Sequence, residues 1–292
     1  MSILINSSTR VIVQGITGRE GSFHARLMKE YGTQVVGGVT PGKGGALIEG
    51  IPVFDTMREA VKETNGDTSI IFVPARFAMD AILEALDAGI RVIVCTPEGV
   101  PFHDMVCVCH YKNSDAIIIG PNTPGVISPG ECKVGFMPSF AYMKGPVGVM
   151  SKSGSLSYEL SYRLTKAGIG QSTVVGVGGD PVKGATFAEI LPKFDEDPET
   201  QAVLLLGEIG GEDEERAADY IREKGKKPVV AFLVGKSAPA GKKMGHASAI
   251  ISGKQGSFES KVEAFKKVGV LIAEDPAMVP ELVGNILYGK GE

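Results

Sequence analysis

The amino-acid sequence predicts an α/β protein built from two doubly wound domains, one after the other. The first observation is a series of short, almost continuous apolar runs, which are typical of parallel strands buried on both faces. The second is that these runs end in turns rich in glycine or proline. The third is that the pattern starts again near residue 147, and 292 residues suffice for about two domains.

The first strand leads into a glycine turn that favours phosphate binding. Residues 11–14 are apolar and pass directly into Gly15-Ile-Thr-Gly-Arg-Glu-Gly21, after which Phe23, Leu27 and Met28 mark the apolar positions of a helix. A strand, a glycine turn and a helix in this order point the helix N-terminus at an anion. The glycine spacing differs from G-x-G-x-x-G, so the turn by itself is only a weak indication of a dinucleotide.

A lysine follows the second predicted strand, residues 34–39, in the loop Thr40-Pro-Gly-Lys-Gly-Gly45. An NAD site has an acidic side chain near this point for the ribose hydroxyls. Lys43 instead favours a ligand with an additional phosphate, such as NADP or coenzyme A, unless it is a solvated lysine in a surface turn. Further strands are predicted at 69–73, 91–95 and 115–119, with a helix at 78–88.

Ligands of open α/β sheets bind beyond the carboxyl ends of the strands. We therefore expect Thr17, Lys43, Thr96 and Glu98, which all follow predicted strands, to line one crevice. Residues 124–145 are rich in glycine and proline and show no clear helix, so they are predicted to connect the domains. The second half has predicted strands at 147–150, 171–177, 202–206, 228–234 and 270–272, and helices at 156–166, 262–267 and 279–287.

One histidine, His246, lies among small residues between Gly241 and Gly253. A neutral imidazole nitrogen is a nucleophile near neutral pH and can accept a phosphoryl group, although a solvent-facing loop histidine is the simpler interpretation. Glu208 ends a predicted buried strand and is placed to hold the other ring nitrogen, unless it is only an exposed carboxylate.

A second candidate phosphate site is Ser153-Gly-Ser155, which comes directly before a predicted helix. Unpaired amides and hydroxyls at the positive end of a helix dipole bind anions, and the alternative is a serine that only caps the helix. The surrounding sequence lacks the G-x-S-x-G pattern of a serine hydrolase.

Composition and charge exclude several classes of function. The net charge of −4 disfavours nucleic-acid binding, and no apolar run is long enough to span a membrane. The N-terminus lacks the pattern of a signal peptide, so we expect a cytoplasmic protein with reduced cysteines. A metal site at His103, Cys107, Cys109 and His110 is disfavoured, because these spacings face different ways on a helix.

Taken together, these motifs resemble those of succinate–CoA ligase (succinyl-CoA synthetase) alpha subunits, in the nucleoside-diphosphate-forming acyl-CoA synthetase superfamily. The resemblance covers almost the whole chain through seven motifs in one order: Gly15–Gly21, Gly37–Gly45, Gly120-Pro-Asn122, Ser151-Lys-Ser-Gly-Ser155, Gly178-Gly-Asp-Pro181, Gly207-Glu-Ile-Gly-Gly211 and Met244-Gly-His-Ala247.

The resemblance implies a Rossmann-like CoA-binding domain at 1–123, a connecting segment at 124–145 and a flavodoxin-like domain at 146–292. His246 matches the family's phosphorylated histidine and Glu208 its supporting glutamate, while Tyr158 matches a position that helps to bind the organic acid at the subunit interface. The implied CoA contacts are Thr17, Gly18, Arg19, Glu20, Lys43, Thr96, Pro97 and Glu98, and the implied phosphoryl contacts are Ser153, Gly154 and Ser155.

The implied reaction has three steps and needs a partner. A nucleoside triphosphate phosphorylates His246, the phosphoryl group passes to the carboxylate of the acid, and the CoA thiol displaces phosphate. ATP or GTP with Mg²⁺ would be bound mainly by a beta subunit of ATP-grasp fold, in an αβ or (αβ)₂ assembly. This agrees with the sequence, which contains no Walker lysine motif.

Two departures concern which acid is activated, a dicarboxylic or a tricarboxylic one. Ser248 stands where the family usually has glycine, and Thr123 where many members have cysteine. The close alternatives are malate–CoA ligase and the small subunit of citryl-CoA synthetase. A different class is a non-catalytic CoA-binding regulator, against which the joint presence of His246, Glu208 and Ser153 argues. Another is an NADP oxidoreductase, which only Lys43 supports.

Overall fold

The computed structural model describes residues 2–112, 115–238, 246, 249 and 256–289. The described residues fall into two compact units. The first unit comprises Leu4–Met137 and Val182–Ala185, and the second comprises Met1–Ile3, Pro138–Pro181 and Thr186–Glu292. The α/β fold class is confirmed for both units, whereas the domain limits that we expected at 123 and 146 stay predictions.

The first unit contains a mostly parallel sheet with the strand order β3-β4-β2-β1-β5-β6-β7, followed by an antiparallel hairpin of β8 and β9. Its strands are β1 Arg10–Gln14, β2 Gln34–Val39, β3 Leu47–Ile48, β4 Ile51–Phe54, β5 Thr68–Ile71, β6 Val92–Cys95, β7 Ile117–Ile119, β8 Gly125–Ser128 and β9 Cys132–Gly135. Its α-helices are α1 Arg19–Tyr31, α2 Met57–Thr64, α3 Ala78–Asp87 and α4 Phe102–Tyr111.

Apolar strands and amphipathic helices build this core as the sequence pattern predicts. Ile12, Ile71 and Ile93, from three neighbouring strands, are fully buried and pack with Ile82 of α3 and Val108 of α4. Burial of these side chains away from water is the main favourable contribution to the stability of the unit. The core therefore holds the carboxyl ends of β1, β5 and β6 side by side.

One local prediction needs correction, and two stretches contain elements that the sequence did not indicate. Phe23 was expected on the apolar face of α1 but is exposed, and it carries Arg26 over its ring. Short antiparallel pairing of β3 with β4, and helix α2, lie in a stretch where no element was predicted. The segment 124–145 contains the β8–β9 hairpin, because Gly125 and Gly135 let the two backbones approach too closely for any side chain.

The second unit contains parallel strands in the order β14-β13-β12-β10-β11. Counted from β10, this is the flavodoxin-like order 2-1-3-4-5, so the predicted flavodoxin-like fold is confirmed. The strands are β10 Lys144–Ser151, β11 Gln171–Gly176, β12 Ala202–Glu208, β13 Val229–Val234 and β14 Leu271–Ala273, and the helices are α5 Gly154–Lys166, α6 Phe187–Glu196, α7 Asp213–Lys224, α8 Phe258–Lys267 and α9 Val279–Tyr288.

Helices α6 and α7 were not predicted, although α6 begins with a capping box in which Thr186 and Glu189 bond each other's backbone amides. Pro192 inside α6 weakens the helical signal of the sequence. Across the described part of the chain, no helix has the length and apolar character needed to cross a membrane.

Candidate functional site

The second unit has its topological switch point between β10 and β12, where strand order reverses and where ligands of such sheets bind. The two strands pair in parallel up to Ser151 opposite Leu206. Their carboxyl ends therefore lie at the same edge of the sheet, where β10 is followed by the turn at Ser153 and β12 ends at Glu208. The two predicted phosphate-handling motifs thus meet at this switch point.

His246 and Glu208 are in contact, as the sequence led us to expect. The imidazole Nδ1 lies 2.8 Å from Glu208 Oε2. The glutamate side chain is only 7% exposed, whereas the histidine side chain is 29% exposed, so the ring is reachable and the carboxylate is shielded. A carboxylate at Nδ1 holds the ring proton there, and Nε2 of the neutral ring keeps its lone pair.

Gly179, in the turn after β11, packs closely against the imidazole of His246. A Cβ atom at this position would lie 2.9 Å from His246 Cγ, which real Cβ atoms essentially never show, and 3.0 Å from Nδ1, which is a tight contact. Only glycine therefore lets the ring lie against this backbone. The Gly178–Pro181 motif contributed to the resemblance, but the sequence did not indicate what it contacts.

Ser153 is the N-cap of α5, and its hydroxyl accepts a hydrogen bond from the Leu156 amide at 3.4 Å. Its own amide donates to Ser151 Oγ at 3.1 Å. Gly154 and Ser155 are the first two residues of α5, where amides have no acceptor within the helix. The turn is thus both a serine cap and a helix N-terminus with two amides available to an anion.

The sequence did not indicate a cluster of three buried charged side chains next to this turn. Lys152 Nζ lies 2.8 Å from Glu214 Oε1, and Lys261 Nζ lies 2.6 Å from Glu214 Oε2, with all three side chains buried. Burial alone would raise the pKa of Glu214, but the two lysines outweigh it and lower this pKa. Burial alone would lower the pKa of Lys152, but Glu214, Asp213 and Glu208 raise it. The charged forms are therefore kept at neutral pH.

Tyr158 lies in α5, close to its N-terminus. Its hydroxyl is buried and has no hydrogen-bond partner among the described residues. Burial raises the pKa of Tyr158 to about 12, so the hydroxyl stays a neutral donor at physiological pH. A buried donor without a partner is rare and suits a polar ligand.

The first unit has its own switch point, between β1 and β5, and a cavity of about 470 Å³ lies there. Thr17 and Gly18, two predicted CoA contacts, line it. The sequence did not single out most of the other lining residues, which are Gln14, Gly15, Val39, Thr40, Pro41, Phe72, Val73, Pro74, Phe77, Asp80, Ala81 and Glu84.

The turn after β1 is fixed by close backbone contact. A Cβ atom on Gly21 would overlap the carbonyl of Gly15. The first turn of α1 can therefore pack against the β1 turn only with glycine at position 21. Thr17 Oγ1 donates to Thr40 Oγ1 at 3.1 Å and joins the turns after β1 and β2. Arg19 and Glu20 are the first two residues of α1, so their amides are at its positive end.

The remaining predicted CoA contacts do not line this cavity. Lys43 is exposed, in a loop where the Gly44 amide donates to Asp55 Oδ1 at 2.8 Å. The Thr96 hydroxyl donates to the Ile71 carbonyl at 2.6 Å, and Pro97 and Glu98 follow it after β6. All these loops follow parallel strands at one edge of the sheet. The cavity wall contains the β1 turn and the start of the Lys43 loop, at Thr40 and Pro41, but not Lys43 itself.

The candidate metal residues are separated on α4. His103 Nδ1 lies 3.7 Å from Cys107 Sγ, whereas Cys109 Sγ donates to the Lys183 carbonyl at 3.5 Å. No group of three metal-binding side chains occurs among residues that the structure describes. Of the two departures, Thr123 is buried and its hydroxyl accepts from the Gly125 amide at 3.0 Å, and Ser248 lies outside the described residues.

Comparison with known proteins identifies both parts of the chain. Residues 6–99 match the CoA binding domain family, and residues 150–271 match the CoA-ligase family. The Succinate–CoA ligase [ADP-forming] subunit alpha of Aquifex aeolicus is 57% identical over 98% of this chain and 95% of its own length. The subunit alpha 1 of Archaeoglobus fulgidus is 56% identical over 98% of this chain and 99% of its own.

Solved structures agree with the fold. The ATP citrate lyase of Methanosaeta concilii, in complex with (3S)-citryl-CoA, matches 97% of this chain with a TM-score of 0.87 and 25% identity. This chain spans half of that longer chain. A dinucleotide-forming acetyl-coenzyme A synthetase of Ca. Korarchaeum cryptofilum shares the fold over 92% of this chain and 58% of its own, with a TM-score of 0.73 and 20% identity. The sequence matches show that this chain belongs to the family of succinate–CoA ligase alpha subunits.

Proposed function

We propose that this chain is the alpha subunit of a nucleoside-diphosphate-forming succinate–CoA ligase that works through a phosphohistidine at His246. The reaction interconverts succinate, CoA and a nucleoside triphosphate with succinyl-CoA, the nucleoside diphosphate and phosphate. The observation that carries the proposal is the contact of Glu208 Oε2 with His246 Nδ1 at the switch point of the second unit. The names of the curated relatives support the substrate.

In the first step Nε2 of His246 attacks the γ-phosphorus of the nucleoside triphosphate. A nitrogen–phosphorus bond forms, the bond to the bridging oxygen breaks, and the diphosphate leaves with that electron pair. The ring then carries positive charge with its proton still on Nδ1. The Glu208 carboxylate, 2.8 Å from Nδ1, neutralises this charge and keeps the ring in one orientation.

The turn before α5 has the donors that the phosphoryl group needs. The amides of Gly154 and Ser155 are at the positive end of the helix, where phosphoryl oxygens are stabilised. Ser153 supports this role indirectly, because its side chain caps the same turn and fixes the amides. We therefore assign the binding of the phosphoryl oxygens mainly to backbone groups.

In the second step a carboxylate oxygen of succinate attacks the phosphorus, and Nε2 recovers its electron pair. In the third step the CoA sulfur attacks the acyl carbon and forms the thioester bond. Phosphate leaves with the electron pair of the carbon–oxygen bond, and the thiol proton passes to this phosphate. Tyr158 is assigned to the organic acid, because its buried hydroxyl lacks a described partner and stays protonated. Succinyl-CoA and phosphate are formed in these two steps without any oxidation or reduction.

We assign CoA to the first unit, which matches the CoA binding domain family. The cavity between β1 and β5 offers the apolar rings of Phe72 and Phe77 for the flat adenine and the turn at Thr17 and Gly18 for phosphate. Arg19, Glu20, Lys43, Thr96, Pro97 and Glu98 remain assigned to CoA as residues of loops at the same sheet edge. Lys43 suits an exposed phosphate at the cavity rim.

The partner in this proposal is a beta subunit of ATP-grasp fold that brings the nucleotide and Mg²⁺, in an αβ or (αβ)₂ assembly. The relatives are named as ADP-forming alpha subunits, which supports a beta partner and favours ATP over GTP. The cytoplasmic location expected from the sequence is kept as part of the proposal. Malate or citrate in place of succinate is the alternative that the experiment must distinguish.

The test uses this chain co-expressed with its beta subunit and incubated with Mg²⁺ and ATP labelled in the γ-phosphoryl group. We expect acid-labile, base-stable label on this chain, lost in His246→Asn and retained in the control His110→Asn, which changes an exposed histidine of α4. Succinate with CoA should remove the label, whereas malate or citrate should not. Absence of label on the wild-type chain with an active partner would favour a CoA-binding regulator.

A further inference from the structure

A single buried carboxylate, Glu214, contacts three parts of the second unit: the turn before α5, the end of β12 and the first half of α8. It lies in the first turn of α7, and its side chain is completely buried. Its oxygens accept hydrogen bonds from Lys152, from Lys261 and from the backbone of Glu208. Each of these partners belongs to a different part of the proposed phosphohistidine site.

Lys152 connects Glu214 with the phosphate-binding turn. This lysine directly precedes Ser153, and its Nζ lies 2.8 Å from Glu214 Oε1 and 2.9 Å from Oε2. Its backbone amide donates to the Leu206 carbonyl of β12 at 3.2 Å. The start of the turn is therefore fixed to the neighbouring strand through both its backbone and its side chain.

Glu208 is held through its backbone. Its amide donates to Glu214 Oε1 at 3.1 Å, so the carboxylate of α7 sets the position at which β12 ends. The preceding residue, Gly207, makes room for this contact, because a Cβ atom there would lie 2.7 Å from Glu214 Oε1. The carboxylate that contacts His246 thus extends from a backbone anchored by Glu214.

Lys261 connects Glu214 with α8, the helix that follows His246 in the sequence. It lies in α8, and its Nζ also contacts Glu215 Oε2 at 2.8 Å and the Gly211 carbonyl at 2.9 Å. Next to it, the Gly210 amide donates to the Gly256 carbonyl at 2.8 Å. The turn after β12 and the start of α8 are therefore joined by both charge and backbone contacts.

We propose that Glu214 is a positioning residue for phosphoryl transfer at His246, holding the phosphate-binding turn, Glu208 and the start of α8 in one arrangement through Lys152 and Lys261. The inference rests on the proposed function. Buried ion pairs commonly contribute little net stability compared with apolar residues of the same volume. A cluster of this kind beside a transfer site is better explained by fixed geometry and charge.

The first experiment replaces Glu214 by Gln, which keeps the shape of the side chain and removes its charge. The matched control is Glu263→Gln, which neutralises an exposed glutamate of α8 that pairs with Lys267 at 2.7 Å. With the beta subunit and saturating labelled ATP, we expect Glu214→Gln to be phosphorylated about tenfold more slowly, which is comparable to the loss when a group that orients a metal ligand is removed. The control should match the wild-type rate, and both variants should keep the wild-type Kd for CoA.

A second pair of variants keeps the test decisive if Glu214→Gln does not fold. Lys152→Met removes the charge beside the turn, and Lys152→Arg restores it, so Arg should recover phosphorylation that Met loses. Imidazole nitrogen shifts from NMR should also show that Lys152→Met mixes the two ring tautomers of His246. Wild-type labelling in Glu214→Gln, or equal rates in the folded Met and Arg variants, would overturn the inference. Failure to label even the wild-type chain would instead overturn the proposed function.

Discussion

The two switch points of this protein are lined by different kinds of residues. At the first, between β1 and β5, glycine backbone and apolar rings surround an open cavity of about 470 Å³. At the second, between β10 and β12, a histidine and a glutamate are backed by a fully buried carboxylate with two buried lysines. The sheet topology is similar, so the difference arises from the residues that follow the strands.

The difference matches the two tasks that we assign to the units. A ligand that arrives and leaves whole is best held by an open cavity and by backbone amides that need no rearrangement. Transfer of a phosphoryl group requires one ring nitrogen to point in one direction, because a misplacement of about 1 Å can cost about a hundredfold in rate. Buried, mutually paired charges supply that rigidity at the second switch point.

The largest effect is expected for Gly179→Ala at the second switch point. The added methyl group would lie 2.9 Å from His246 Cγ, so the ring must shift from its position against Glu208 or the backbone must give way. We expect about a hundredfold slower labelling of His246, because its alignment is lost. The control is Gly284→Ala in α9, where the new atom meets only Ile169 Cδ1 at 3.6 Å. Equal labelling rates in both variants would show that Gly179 does not determine the position of the His246 ring.

The reciprocal change is Gly21→Ala at the first switch point. The new Cβ would overlap the Gly15 carbonyl and shift the start of α1, so the CoA affinity should fall by about tenfold or more because the turn can no longer present its amides. Labelling of His246 should persist. Calorimetry with CoA measures the loss, with Arg26→Ala, which changes an exposed residue of the same helix, as the control. A variant that loses labelling but keeps CoA would reverse the assignment of the two units.

A smaller effect is expected for Lys43→Ala. This lysine is exposed, so its attraction to a phosphate is screened by water and salt. We expect about a fivefold weaker CoA affinity at low salt and a smaller difference at high salt. Titration of CoA at two salt concentrations checks this, and an effect independent of salt would contradict a purely electrostatic role.

The smallest effect concerns acid stability. The pKa of Glu214 is lowered in the folded chain because Lys152 and Lys261 outweigh its burial. A lowered pKa adds stability above the ordinary glutamate value of about 4.3, and this stability is lost as the pH falls through the folded value. The melting temperature of Glu214→Gln should therefore depend less steeply on pH in the acid range. A slope equal to that of the wild-type chain would contradict the paired, ionised state of Glu214.

Local sequence patterns predicted the parts of the fold that depend on neighbouring residues. The Gly15–Gly21 turn, the buried strands and the pairing of Glu208 with His246 all follow from short motifs with known physical roles or from the resemblance. Glu214 and Lys261 could not be predicted, because they are 47 residues apart and α7 itself gave no apolar signal strong enough to be recognised. The β8–β9 hairpin was missed for a similar reason, since close glycine contact across strands is not a local pattern.

The most direct test is to identify the nitrogen that carries the phosphoryl group. The complex with the beta subunit is phosphorylated with ATP and Mg²⁺, and nitrogen–phosphorus correlations of the imidazole are recorded by NMR. Because Glu208 holds Nδ1 at 2.8 Å, we expect a single phosphohistidine at position 246 with phosphorus on Nε2 and a proton on Nδ1. Phosphorus on Nδ1, or on any residue other than His246, would contradict the proposed roles of His246 and Glu208.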